Sequence, residues 1–255
     1  LDKARYIIDW LKSYAEKAHS KGFVVGISGG VDSAMTSVLC AETGLKVILL
    51  NMPIRQTQAE YNRAQKHIGD LKKRFENVSS FEINLTGVFG AFEELMPFNK
   101  NDNSLAMANS RSRLRMTTLY AVAQANGCLV TGTGNKVEDF GVGFFTKYGD
   151  GGVDISPIAD LYKTEVFSMA RQLKVIDDIL NAEPTDGLWE DGRSDEDQIG
   201  ATYPELEWAM EYLKLDKKEA LTERQKVVLD IYSKFHSANQ HKMMPIPVCT
   251  FPKSN

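Results

Sequence analysis

A short apolar run, Phe23-Val24-Val25-Gly26-Ile27, passes through a turn of glycines and hydroxyls, Ser28-Gly29-Gly30-Val31-Asp32-Ser33, into a segment with apolar residues at helical spacing, Ala34 to Ala41. This order of strand, glycine turn and helix constrains the fold most, because it sets a buried β-strand directly before a helix N-terminus. Such a terminus leaves backbone N–H groups unpaired and carries the positive end of the helix dipole. Gly29 and Gly30 let the main chain approach a polyphosphate with no Cβ in the way. Asp32 adds a carboxylate where a magnesium ion riding on phosphates needs a hard oxygen ligand. The turn lacks the Gly-Lys-Ser/Thr ending of a Walker loop and the Gly-x-Gly-x-x-Gly of a dinucleotide fold. The plainer alternative is an ordinary turn in which Asp32 and Ser33 cap the helix.

The same alternation continues along the chain. The spacing predicts a helix over 3–20 with Ile7, Ile8, Leu11 and Tyr14 on its apolar face, a strand over Lys46–Asn51 ended by Met52-Pro53, and a helix over 57–74. A third strand is expected at Phe81–Leu85, helices over 86–96 and 104–126 with a break at Pro97, and a fourth strand at Cys128–Thr131. Strands separated by helices imply βαβ crossovers, hence an α/β fold: a doubly wound parallel sheet with helices on both faces. Beyond residue 150 strand signals thin out, and a helical C-terminal part is expected. Ligands of such sheets bind at the strands' carboxyl ends, so Ser28–Ser33 and Gly132-Thr133-Gly134-Asn135 are expected to share one site. The acidic stretch Glu183–Gly200 reads as a mobile surface loop. A last helix over 222–242 has Val227, Val228, Ile231 and Phe235 as its apolar face, before a proline-rich tail at 245–252.

The chain of 255 residues, with a net charge of −4, is expected to form one domain and lacks the basic balance of a general nucleic-acid binder. No apolar run approaches the length needed to cross a bilayer, and Leu1 to Arg5 do not lead into a signal-peptide core. Cys40, Cys128 and Cys249 are scattered and form no metal-ligand pair, which fits a reduced cytoplasm. Cys128, inside an apolar run, reads as a small buried hydrophobe, and no Ser-His-Asp grouping supports covalent catalysis.

Ser-Gly-Gly-x-Asp-Ser resembles the pyrophosphatase loop of the ATP-pyrophosphate-lyase superfamily, enzymes that cleave ATP between its α- and β-phosphates. A second cluster narrows the resemblance: Gly149-Asp150-Gly151-Gly152-Val153-Asp154-Ile155-Ser156-Pro157, then Asp160-Leu161-Tyr162-Lys163-Thr164-Glu165. With Phe144-Phe145-Thr146-Lys147-Tyr148, Gly132 to Glu138, Pro184-Thr185-Asp186-Gly187-Leu188 and His241-Lys242, the chain is similar to ammonia-dependent NAD synthetases from its first helix to its tail. The resemblance implies a single NAD synthetase domain over 1–255, without the glutaminase domain of glutamine-dependent members. It also implies a two-step amidation: the nicotinate carboxylate of deamido-NAD attacks the α-phosphorus of ATP, and ammonia then displaces AMP.

Carried over by position, Gly26, Ile27, Ser28, Gly29, Gly30, Val31, Asp32 and Ser33 form the ATP loop, and Asp32 and Glu138 are magnesium ligands. Thr133, Thr185 and Lys163 contact ATP, Lys163 at its phosphates. Arg113, Lys147, Asp154, His241 and Lys242 contact deamido-NAD, and a homodimer is implied with that site near the subunit boundary. Each position has a plainer reading: Glu138 as a first-turn glutamate, Lys163 as a solvated surface group, His241 as a residue satisfied at a helix C-terminus. Arg111 and Arg115 share one helix face and Arg113 another, so only one of these faces is expected to meet ligand. The chain also departs from many relatives. Gly134-Asn135 stands where they have Asp-His, Met243 where they have arginine, and the interval from Glu138 to Lys147 is one residue longer.

Three rivals are distinguishable. A GMP-synthetase-like amidotransferase shares the loop but takes a xanthine nucleotide, and a tRNA-modifying thiolase needs a basic surface or reactive cysteine pairs. A nucleotide-binding regulator without catalysis requires that Asp32 and Glu138 not face a common metal.

Overall fold

Each apolar strand residue in the centre of the sheet is buried, and alternate residues feed opposite faces, as the two-residue period of a strand demands. In the computed structural model, which describes residues 2–182, 195–215 and 220–251, four parallel strands run β1 (Gly22–Gly26), β2 (Lys46–Asn51), β3 (Val78–Glu82) and β4 (Leu129–Val130). Their spatial order is β3-β2-β1-β4, with Phe23 opposite both Val47 and Leu129. Phe23, Val25, Val47 and Leu49 enter one core, against α1 (Lys3–Lys17), α2 (Val31–Glu42) and α3 (Gln58–Arg74). Val24, Ile48 and Leu50 enter the other, against α4 (Thr86–Glu94) and α5 (Ser104–Asn126). The doubly wound reading therefore holds. α6 (Lys163–Gln172) and the short α7 (Asp177–Leu180) join the first core.

A third core belongs to the helical C-terminal part, where a π-helical turn, Lys136–Val142, packs with α9 (Tyr203–Tyr212) and α10 (Glu223–Met243). The turn's closing bond runs from Gly143 N–H to Glu138 O, the wider i→i+5 spacing of a π-helical turn.

Most helix limits follow local chemistry. Thr57 and Glu60 form a capping box at the start of α3, and Gly127, in the left-handed region at φ 65°, ends α5 after Asn126. Four expectations change. The third strand lies three residues earlier than Phe81–Leu85, because Leu85 turns into the core below α4 and the ladder to β2 begins at Val78; on this edge strand Phe81 is exposed. In α1 the buried position after Leu11 is Ala15, while Tyr14 turns outward beside Trp10. In α10 Val228 and Tyr232 are the buried pair and Val227 is exposed. Of the stretch expected as a loop, 183–194 lie outside the described residues, whereas Asp195–Ile199 form a helix, α8, with Ile199 in the third core. Among the described residues no helix is long and apolar enough to cross a membrane.

His67 lies fully buried on α3 with its Nε2 2.9 Å from Ser37 Oγ of α2. Burial pushes its imidazole down to about 4. The unfolded chain then binds a proton that the folded one refuses between pH 6.5 and 4, so stability falls as pH drops through that window and is flat outside it. Over the full window the loss is on the order of 3 kcal/mol. Urea unfolding at pH 7 and pH 4.5 should show this loss shrinking in His67→Asn; identical pH slopes in both proteins would contradict it.

Candidate active site

The glycine turn after β1 is held open by its own hydroxyls. Ser33 Oγ donates to Gly30 O at 3.0 Å and accepts from Ser28 N–H at 3.3 Å, while Gly30 N–H donates to Ser28 Oγ at 3.2 Å. Gly29 sits at φ 89°, and a Cβ there would come within 2.7 Å of Glu60 O, so both conformation and space demand glycine. The N-cap of α2 is Gly30, with no side chain capping it. Asp32 is thus released from the capping role of the plainer reading.

It turns instead toward residues far along the chain. Lys163 Nζ donates to Asp32 Oδ2 at 2.5 Å and to Glu138 Oε1 at 2.8 Å. The lysine is 3% exposed, which rules out the solvated surface group that its isolated sequence context suggested. Asn135 completes the junction: its Oδ1 caps Val137 N–H and Glu138 N–H at 3.0 and 3.1 Å, and its Nδ2 donates to Asp32 Oδ1 at 3.0 Å. Tyr203 Oη lies 2.5 Å from Glu138 Oε1 and 2.9 Å from Asp195 Oδ2, with its ring 5.0 Å from the lysine nitrogen. Burial opposes the charge on Lys163, but the two carboxylates outweigh it and hold the ammonium above its ordinary range. Burial likewise opposes ionisation of Glu138, and Lys163 overcomes it, holding that carboxyl below its usual range.

These groups stand at one end of a cavity of about 750 Å³ at the carboxyl edge of the sheet, walled by both glycine-rich strand exits, Ser28–Ser33 and Gly132–Gly134. Thr133 lines it; Thr185 lies outside the described residues. The far end is basic. Lys147 Nζ donates to His241 O at 3.0 Å, Arg113 Nε to Lys147 O at 3.2 Å, and Lys242 Nζ to Gly143 O and Phe145 O at 2.6 and 2.7 Å. His241 also lines the cavity.

Two placements differ from expectation. Asp154 does not line this cavity; its carboxylate accepts from Val130 N–H at 2.8 Å and Tyr120 Oη at 3.0 Å, tying the end of β4 to α5. Arg115 faces the cavity as well as Arg113, because the cavity wraps around α5. Burial, with Arg111 nearby, pushes Arg115 down to about 10, and its Nε donates to Met52 O at 3.0 Å. Sequence reasoning missed Tyr203, placed Asn135 in the site without a role for it, and left open whether the face of Arg115 or that of Arg113 meets ligand. Only Asn135 carried a local signal, an Asx cap before a helical turn.

Among the described residues no group of three or more His, Cys, Asp or Glu is arranged to hold a metal. The pair Asp32 and Glu138, already sharing one cation, suits a hard divalent ion whose other ligands are phosphate oxygens and water.

The profile of the NAD synthase family matches residues 3–245. The NH(3)-dependent NAD(+) synthetase of Finegoldia magna is 43% identical over 199 residues, 78% of this chain and 79% of that protein. That of Alkaliphilus metalliredigens is 37% identical over 260 aligned positions, covering 96% and 97% of the two chains. Among solved structures, the NMN synthetase of Francisella tularensis superposes with a TM-score of 0.86 at 30% identity, covering 98% of each chain.

Removing Lys163 leaves two buried carboxylates facing each other, a change that typically costs about 3–5 kcal/mol. Thermal unfolding of Lys163→Met without metal should therefore begin well below that of the parent, and millimolar magnesium should recover part of the difference. A variant as stable as the parent would mean that the lysine does not balance the pair.

Proposed function

This chain belongs to the NAD synthase family, and from that premise we propose how its cavity divides the work. The reaction is the ATP-dependent amidation of deamido-NAD to NAD with release of AMP and pyrophosphate, and the enzyme is a ligase. Its logic is physical. A carboxylate resists ammonia because it is anionic and its oxygen leaves poorly, whereas an acyl-adenylate is electrophilic and expels AMP.

The observation that carries the site assignment is the convergence of Asp32 and Glu138 on Lys163 at one end of a cavity that is basic at the other. ATP lies with its phosphates against Gly26–Ser33, Thr133 and Thr185 contacting it and Lys163 reaching the phosphates. Asp32 and Glu138 hold magnesium, which supplies neutralisation of phosphate charge. Arg113, Lys147, His241 and Lys242 bind deamido-NAD, with the plane of Arg113 suited to its phosphates, while Asp154 supports the wall behind them through Val130 and Tyr120. Asp32 is the catalytic carboxylate and Lys163 the catalytic cation of adenylation.

Residues 1–255 form one NAD synthetase domain, and the enzyme works in the cytoplasm with ammonia as the amino donor. It pairs as a homodimer: Val88, Phe92, Leu95 and Phe98 are exposed on and beside α4, apolar side chains that a second copy would cover, and exposed Leu105 also lines the cavity. Sedimentation at micromolar concentration should give a dimer, and Leu95→Asp should shift it toward monomer; a monomeric parent would refute this pairing.

A second reading concerns substrate length. The likeness to the Francisella tularensis NMN synthetase favours amidation of the mononucleotide. AMP formation with ATP, magnesium and ammonium, tested separately with deamido-NAD, nicotinate mononucleotide and XMP, decides among them. We expect deamido-NAD to be the best acceptor; a faster mononucleotide reaction establishes the second reading, and turnover of XMP alone overturns both. Asp32→Asn should lower AMP formation by about 100-fold or more, because it removes charge at the metal while preserving volume. Parent-like turnover would refute its metal role.

A further inference from the structure

Two side chains behind the cavity wall, Tyr203 and Glu207, lie about one helical turn apart on α9 and so share a face. Neither lines the cavity. Both nevertheless reach the junction that does. Tyr203 Oη donates to Glu138 Oε1 at 2.5 Å. Glu207 takes hold of Thr164, the residue after Lys163, with both carboxylate oxygens: Oε1 accepts from its N–H at 2.9 Å and Oε2 from its Oγ1 at 2.7 Å. One face of one helix thus holds the π-helical turn that carries Glu138 and the start of α6 that carries Lys163.

Lys163 is the first residue of α6, in the turn whose N–H groups have no partner within the helix. The N-cap residue, Tyr162, lacks the short hydroxyl or carboxylate of a usual cap. Glu207 does from a neighbouring helix what a cap does from its own: it accepts the N–H of the second helical residue, and its charge meets the positive end of the helix dipole. The backbone from which the Lys163 side chain leaves is thereby fixed. Its Nζ stands 5.0 Å from the centre of the Tyr203 ring and donates to Glu138 Oε1 at 2.8 Å, the same oxygen that Tyr203 holds. The Tyr203 hydroxyl has one proton to give, and of its two carboxylate neighbours Glu138 is the nearer, with Asp195 Oδ2 at 2.9 Å. α9 can act as a fixed support because Leu206, Ala209 and Met210 anchor it in the third core, and Thr202 and Glu205 form a capping box at its start.

We propose that α9 is the positioning element of the site: Tyr203 and Glu207 are positioning residues that set where Glu138 Oε1 and Lys163 Nζ stand relative to Asp32, and they touch no reactant themselves. This rests on the site assignment made above, with magnesium at Asp32 and Glu138. Neighbours that orient the ligands of a metal are typically worth about 10–100-fold in metal affinity or activity. Loss of the Tyr203 hydroxyl should therefore appear in the response to magnesium and in kcat. Deamido-NAD, bound by Arg113, Lys147 and Lys242, should be held as before.

The test uses two readouts on the parent, Tyr203→Phe, Glu207→Ala and Glu207→Gln. Magnesium is titrated into enzyme holding ATP without an acceptor, so that nothing turns over, and the melting temperature is followed. AMP formation then gives kcat and the KM for deamido-NAD. Tyr203→Phe keeps the ring in the third core and removes only the hydroxyl. It should raise the magnesium concentration at half-effect by about tenfold or more and lower kcat by a similar factor, with the deamido-NAD KM within about twofold of the parent's. Glu207→Ala should lower kcat by about tenfold, whereas Glu207→Gln, whose amide oxygen can still accept the Thr164 N–H, should keep most of the parent's rate. A Tyr203→Phe that melts lower yet responds to magnesium and turns over as the parent does makes the hydroxyl a packing group and overturns the proposal. So does a Glu207→Ala with the parent's kcat. A raised magnesium midpoint in Tyr203→Phe beside a parent that forms no AMP from deamido-NAD supports the positioning role and overturns the amidation reading instead.

Discussion

The contact of Lys163 with Asp32 and Glu138 is the interaction on which the site depends, because it ties together three segments far apart in the chain. The lysine opens α6, one carboxylate follows the glycine turn, and the other lies in the π-helical turn. Two carboxylates brought together below the protein surface repel, and a single ammonium between them makes the arrangement tolerable. The same arrangement prepares the site for a divalent ion, since the ligands are already gathered around positive charge. Asn135 and Tyr203 hold Glu138 from two further directions, so little reorganisation is left to the moment of binding.

Around this junction the cavity wall carries both signs of charge. The helix N-terminus of the glycine turn, Arg63 on Gly29 O and the carboxylate pair line it, as do Arg113, Lys147 and Lys242. The arrangement follows from topology. Parallel strands point their carboxyl ends the same way, so the turns after β1 and β4 face one space, while α5 and the end of α10 bring cations to its far side. In the wall of the same cavity the Asp139 carboxylate lies over Gly134.

Much of this was legible along the chain. The octet Gly26–Ser33 announced a strand end, a glycine turn and a helix start because its chemistry is local: glycines, hydroxyls and the helix N-terminus lie within eight residues. The limits of α5 were equally local, fixed by the Asn126-Gly127 end, and the buried strands β1 and β2 were plain from continuous apolar runs. β3 was displaced because an edge strand is half exposed and its apolar residues serve two neighbours, so hydrophobicity alone did not mark where pairing stops. The helix at Asp195–Ile199 was hidden in an acidic composition that reads as solvent-facing until Ile199 and Tyr203 are seen in the core.

What the sequence by itself determined is the alternation of strands and helices, the glycine turn at a helix start and the residue types gathered around it. Tertiary structure alone decided which of those residues meet. Lys163 lies 131 residues from Asp32, and no periodicity reports a contact made by folding rather than by neighbourhood. The directions of Asp154, Arg115, Tyr203 and Asp139 were likewise settled only by packing, because a side chain's aim depends on what fills the space around its backbone, and that is a property of the assembled fold.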